Sequence, residues 1–227
     1  MRITLALTAD IMLQGYRRGI FPMAESRDSP ELHWVEPRLR GILPLDGFHL
    51  SRSLRRRIVR GGHEISVDRD FMGTVAACAD RPETWINDTL LLLYGALFNA
   101  GHAHSLEVWR EGRLIGGVFG VTFGRVFCGE TMFSRETDAS KIALAYLVDR
   151  LRRTGFMLFD TQFLTPHLAS LGAIEITQAQ YLRRLAAARA TEADFGAADV
   201  PQPPELVSAL SAGAGISGRM QDRTQTS

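Results

Sequence analysis

Three stretches, Ser105-Leu-Glu-Val-Trp109, Leu114-Ile-Gly-Gly-Val-Phe-Gly-Val121 and Arg125-Val-Phe-Cys-Gly129, decide the fold. Each reads as a strand, and the spacers between them are short. Glu111-Gly112 and Phe123-Gly124 supply the turns, so the three form an antiparallel meander. An amphipathic helix follows, with Leu144, Leu147, Val148 and Leu151 on one side and Gly155 just past its end. Phe156 to Phe163 returns to strand. Thr177-x-x-Gln180 is a capping box for a last helix over Leu182 and Leu185.

Upstream of the meander, Asn87 to Asn99 predicts a helix that ends at Gly101. Phe71, Val75 and Cys78 are spaced as one face of another. His63 to Val67 is a strand candidate, and Ser51 opens a short helix rich in arginine. Thr8 can cap a first helix over Ile11, Met12 and Tyr16 that stops at Gly19. Pro22, Pro30, Pro37 and Pro44 punctuate what comes next as loops and short strands. The expected class is α+β. A small N-terminal domain, 1–48, precedes a unit, 49–197, whose largely antiparallel sheet is flanked by helices. The stretch 198–227, rich in Ala, Gly, Ser, Pro and Gln, is expected to be a disordered tail.

The chain has 227 residues and is 45% hydrophobic, enough for a sizeable core. A net charge of +1 means that any nucleic-acid contact must come from a local patch. Two cysteines, Cys78 and Cys128, read as free thiols in a reducing compartment. The first ten residues carry no cleavage-site pattern, and the apolar run Leu90 to Phe98 is too short to span a bilayer. A cytoplasmic location with no membrane partner is therefore expected. His102-x-His104 lacks further ligands for a metal site, so neither metal nor cofactor is expected.

Several residues carry candidate chemistry. Arg52, Arg55, Arg56 and Arg60 share one helical face with Arg57 nearby, and they make either an anion site or a solvated face. Trp34 and Trp109 are stacking platforms for an unpaired base or parts of the core. Asp160 and Gln162 lie two apart in a strand, on one face, as a reactive or merely buried polar pair. Gly129 would let a substrate approach the backbone. Beside it, Glu130 can hold a cationic group or pair with Lys141 or an arginine. Phe127, Met132 and Phe133 can line an apolar pocket or fill the core. Cys128 reads as a small buried hydrophobe rather than a nucleophile.

Eight motifs stand in a fixed order. They are Gly19-Ile-Phe-Pro22, Thr84-Trp-Ile86, Gly101-His-Ala-His-Ser-Leu-Glu-Val-Trp109, Gly116-Gly-Val-Phe-Gly120, Phe127-Cys-Gly-Glu-Thr-Met-Phe-Ser134, Ala139-Ser-Lys141, Asp160-Thr-Gln162 and His167-Leu-Ala-Ser-Leu-Gly-Ala173. Together they resemble the leucyl/phenylalanyl-tRNA–protein transferases across residues 8–195. The resemblance implies a small N-terminal domain and an acetyltransferase-like (GNAT) domain. It implies that Leu or Phe, and Met weakly, passes from aminoacyl-tRNA to proteins with N-terminal Arg or Lys, which enter the N-degron pathway. It implies that Asp160 polarises Gln162, whose carbonyl accepts from the attacking amine. Glu130 would hold the acceptor, Val118 would stand where a pocket Met is common, and Trp34 and Trp109 would stack the terminal adenosine. The arginine helix would take tRNA phosphates. Met23 and Val35-Glu36-Pro37 depart from the family's usual Trp and Trp-Ser-Pro. Two other readings compete: an acetyl-coenzyme A-dependent acyltransferase of the same fold, and a non-catalytic RNA-binding module. The first lacks its pyrophosphate loop after Val126, and the second leaves Glu130, Asp160 and Gln162 unused.

Overall fold

A computed structural model of the chain describes residues 7–221, with side chains described for 7–212. The meander is present as β5 (Ala103–Arg110), β6 (Arg113–Phe123) and β7 (Val126–Ser134), each longer than its sequence signal. Both turns form where expected, with positive φ at Glu111, Gly112 and Gly124. On one side, β5 pairs with β4 (Glu64–Val67). On the other, β7 pairs in parallel with β8 (Leu158–Gln162), which is followed in the sheet by β3 (Leu39–Ile42) and β9 (Ile174–Thr177). A separate hairpin joins β1 (Phe21–Ala24) to β2 (Leu32–Val35).

Helices cover both faces of the seven-stranded sheet. One layer holds α1 (Ala9–Arg17), α3 (Phe71–Ala79), α4 (Asp88–Asn99) and α7 (Gln178–Ala188), packed with Phe119, Val121 and Cys128 of the sheet. The other holds α2 (Arg52–Arg60) and α5 (Ala139–Arg153), packed with Leu106, Val108, Val118, Phe127 and Phe159. The caps at Thr8, Ser51 and Thr177 are those the sequence announces, and Asn87, expected inside its helix, caps it instead. Thr8, Ser51 and Asn87 accept from the first turns of α1, α2 and α4, and Thr177 and Gln180 form the capping box of α7.

Two expectations need correction. The boundary near Phe48 leaves β3 on the N-terminal side, yet β3 is inserted between β8 and β9 of the large sheet. Met12, Tyr16 and Phe21, from the expected small domain, also share one core with α3, α4 and the sheet. The second correction concerns the tail. Residues 222–227 lie outside the described residues, but Pro203–Gln221 form a helix, α8, that buries Leu206 and Leu210 against α2 and α5. Arginines of α5 fasten the approach: Arg150 donates to Phe195 O at 2.6 Å, Arg153 to Asp199 O at 2.6 Å and Arg152 to Ala209 O at 3.0 Å. Few bulky side chains mark this segment in the sequence. Two leucines on one helical face, with polar anchoring of its carbonyls, are enough to seat it.

Candidate active site

The site exists because two strands part. β7 and β8 are paired only at Val126–Leu158, Phe127–Phe159 and Cys128–Asp160. Beyond Cys128, β7 runs on to Ser134 without β8 beside it, and a cleft of about 400 Å³ opens there. Its wall includes Glu130, Thr131 and Met132 of β7, Thr161 and Gln162 of β8, Trp85 and Met23. A smaller apolar pocket of about 60 Å³ adjoins it, lined by Val118, Gly129, Met132, Leu144, Phe159 and Leu168. Glu130, Thr131 and Thr161 belong to both.

A β-bulge aims Glu130. Gly129 pairs with Gly120 and Thr131 with Phe119, so Glu130 has no opposite residue on β6. The extra residue changes the strand's parity. Phe127 and Met132, an odd number of positions apart, consequently both pack in the α5 layer. Gly129 is required: a Cβ there would lie 2.8 Å from Phe159 Cε2. Glu130 itself is 8% exposed. Tyr94 Oη donates to its Oε2 at 2.7 Å and Gln162 Nε2 to its Oε1 at 3.0 Å. Burial pushes its carboxyl up to about 7, while the donated hydrogen bonds partly offset that rise.

Asp160 is fully buried, and its carboxylate is saturated. Arg40 Nε donates to Oδ1 at 2.8 Å and Arg40 Nη2 to Oδ2 at 2.6 Å. Tyr181 Oη donates to Oδ2 at 2.8 Å, and the backbone N–H of Gln162 to Oδ1 at 2.8 Å. Arg40 also donates to Gly19 O at 3.0 Å and lies over the rings of Phe21 and Tyr181. Burial alone would depress the Arg40 guanidinium, but its bonds to Asp160 hold it firmly protonated. Asp160 thus grips the backbone of Gln162, which adopts a left-handed φ of 62°. The expected contact between Asp160 and the Gln162 side chain is not made: Gln162 turns its amide to Glu130 instead.

Set against known proteins, this architecture has close relatives. The family description "Leucyl/phenylalanyl-tRNA protein transferase" fits residues 42–186, and that of its N-terminal domain fits 6–38. A leucyl/phenylalanyl-tRNA–protein transferase of Cereibacter sphaeroides is 63% identical over 203 residues, covering 89% of this chain and 95% of its own. One from Ruegeria pomeroyi is 62% identical over 203 residues, covering 89% and 96%. The chain belongs to the leucyl/phenylalanyl-tRNA–protein transferase family. Among solved structures, FemX matches with a TM-score of 0.50 at 13% identity, over 76% of this chain and 68% of that one. This last likeness concerns the fold alone.

The remaining expected site residues of this transferase divide. Val118, Gly129 and Met132 line the apolar pocket. Phe133 lines the neighbouring cleft, whereas Phe127 is sealed in the core against Phe159 and Phe195. Neither Trp34 nor Trp109 lines either cavity. Trp34 is 43% exposed and lies against Gly15, where a Cβ would fall 2.1 Å from its ring. Trp109 is buried, with its indole N–H donating to Ser66 Oγ at 2.8 Å and Arg69 across its face. The tryptophan of the cleft is Trp85, from the Thr84-Trp-Ile86 motif, and Tyr94, Arg40 and Tyr181 complete the missed set. Helical spacing gave no signal for these, because their partners lie 21 to 141 residues away.

Arg56, Arg57 and Arg60 line a separate groove of about 590 Å³ with Ser53, Gly61, Gly62 and Arg110. Arg55 points elsewhere, to Ser211 Oγ, and Arg57 also pairs with Asp138 at 3.1 Å. Among the described residues, no cluster of His, Cys, Asp and Glu could hold a metal, and no helix is long and apolar enough to cross a membrane.

Proposed function

We propose that this aminoacyltransferase moves Leu or Phe, and Met weakly, from aminoacyl-tRNA to proteins beginning with Arg or Lys, in the cytoplasm and in service of N-degron degradation. Family membership supports the reaction. The observation that supports a choice of residues for it is the Gln162–Glu130 hydrogen bond of 3.0 Å, at the seam between the apolar pocket and the cleft. The donor side chain occupies the pocket of Val118, Met132 and Leu144, and Trp85 offers an indole face to the terminal base. The parallel β7–β8 pair that splays beyond Cys128, within an otherwise antiparallel sheet, supports reading the fold as acetyltransferase-like (GNAT).

In this reading the acceptor's neutral α-amine attacks the ester carbonyl. A new C–N bond forms, the ester C–O bond breaks, and the ribose hydroxyl leaves with a proton. A free α-amine has a pKa of about 7.7–8.0, so a useful neutral fraction exists near pH 7 and no strong base is required. Gln162 Nε2 is spent on Glu130, which leaves Gln162 Oε1 to accept from the amine. Glu130, poised near neutrality, draws the acceptor's N-terminus and relays the single proton that the amine loses to the departing ribose oxygen, ending the step as it began. Asp160 is a positioning residue, holding the backbone of Gln162 in its strained conformation.

The test is transfer of labelled leucine from Leu-tRNA to an Arg-starting peptide, with acetyl-coenzyme A as the competing donor. Acetylation without leucyl transfer would establish the coenzyme A reading in its place.

A further inference from the structure

We propose that Arg81 binds the phosphodiester on the 5′ side of the donor tRNA's terminal nucleotide. This rests on the reading that the cleft receives an aminoacylated RNA end. Among the described residues lining that cleft, Arg81 is the single permanent cation and Glu130 the single carboxylate. Arg81 forms no ion pair among the described residues. Its Nη2 donates to Thr131 Oγ1 at 2.9 Å and to Met132 O at 2.9 Å, both on the part of β7 just past Glu130 that has no β8 beside it. The guanidinium is therefore held in place, while its Nε and Nη1 donors have no protein partner among the described residues. A fixed planar fork with unspent donors matches a phosphate better than it matches a neutral group.

The positions around it suit a single nucleotide. Arg81 and Trp85 stand on one short segment between α3 and α4, and both face the cleft that holds Glu130 and Gln162. Base, 3′ ester and 5′ phosphate all hang from one ribose. A platform, a reaction centre and a cation around one cleft meet those three groups together. The arginines of α2 line a different groove and would meet the RNA body instead. The segment also has anchors that do not depend on the Arg81 side chain: Arg27 Nη2 donates to Ala79 O at 2.6 Å, and Asn87 Nδ2 to Ser29 O at 2.7 Å.

The experiment compares two minimal donors, phenylalanyl-adenosine with a free 5′ hydroxyl and the same compound carrying a 5′ phosphate. The readout is the ratio of their kcat/KM values with one Arg-starting peptide. Wild type should favour the phosphorylated donor about tenfold or more, the size of one charge-assisted hydrogen bond. Arg81→Met should bring that ratio down to near one, and Arg81→Lys should restore part of it. Equal losses on both donors, with the ratio intact, would make Arg81 a tether of its segment and overturn the proposal alone. Failure of the wild type to use either donor would overturn the transfer reading and this proposal with it.

Discussion

Arg40 and Asp160 meet through two parallel hydrogen bonds, Nε to Oδ1 at 2.8 Å and Nη2 to Oδ2 at 2.6 Å, with neither side chain more than 2% exposed. Removing one partner leaves a charge buried without its counterion, which costs about 3–5 kcal/mol. Asp160→Ala is therefore expected to lower the urea midpoint strongly. The double variant Arg40→Met with Asp160→Ala should lose less than the sum of the two single changes. Strict additivity in the double-mutant cycle would count against the pair as the stabilising unit.

Gln162 should behave differently. Its side chain is held by Glu130 alone, so Gln162→Ala is expected to leave the melting temperature within a few degrees of wild type. The single-turnover transfer rate should fall by about 100-fold, the scale of removing a group that handles a proton. An unchanged rate at saturating donor would remove Gln162 from the chemistry.

Glu130 makes a prediction in pH. Its folded carboxyl titrates near 7, above the ordinary 4.5, with burial as the main cause. A raised folded pKa contributes stability that is fully present below the unfolded value and is lost as pH climbs through 7. The difference corresponds to on the order of 3 kcal/mol. Glu130→Gln should therefore gain stability over wild type at pH 8 but not at pH 4, and it should flatten the rise of transfer rate through neutrality. Parallel stability–pH curves for the two proteins would refute the assignment.

The arginine helix is expected to divide by face. Arg56 and Arg60 open onto the basic groove, whereas Arg55 is tied to Ser211. Reversing Arg56 and Arg60 to Glu should weaken tRNA binding and lower its log–log salt slope by about 0.7–0.9 for each phosphate no longer neutralised. Arg55→Glu should change the slope less. Equal slopes for all three variants would mean that the groove does not face RNA.

Donor choice should follow the apolar pocket. Val118 leaves room beside Met132 and Leu144, so Val118→Met is expected to depress transfer of Phe more than transfer of Leu. Pockets of this kind discriminate by about 1–3 kcal/mol per methylene-sized change, and β-branched Ile and Val should transfer poorly. Initial rates from one tRNA mischarged with Leu, Phe, Ile and Val provide the measurement. Equal rates for Leu and Ile would rule out selection by shape.

Local chemistry made much of this molecule legible in advance. The turns at Gly112 and Gly124, the helix starts at Thr8 and Ser51, and the Thr177–Gln180 box all act within a few residues, and each formed as read. The candidates Glu130, Asp160 and Gln162 also stood out, because they sit in short polar interruptions of apolar strands. What escaped depends on long-range geometry. Nothing near Arg40 announces that β3 will slot between β8 and β9, 120 residues away from Asp160 in sequence. The bulge at Glu130 reverses the strand's parity, so that Phe127 packs in the layer of Met132 while Phe133 packs in the other. Trp34 and Trp109 read as platforms from residue type alone, but neither lines the cleft, and Trp85 does.

The grip on Asp160 also sets a clock. One of its donors is Arg40, from the first fifth of the chain, and another is Tyr181, in the first turn of α7. During synthesis the first has been waiting for some 140 residues by the time the second leaves the ribosome. Until then Asp160 has its counter-charge but lacks the hydroxyl that Tyr181 donates to Oδ2, and the grip on the Gln162 turn is incomplete. The order of synthesis therefore makes Tyr181 the last of these donors to reach the buried carboxylate, and α7 closes a cluster whose other members are already made.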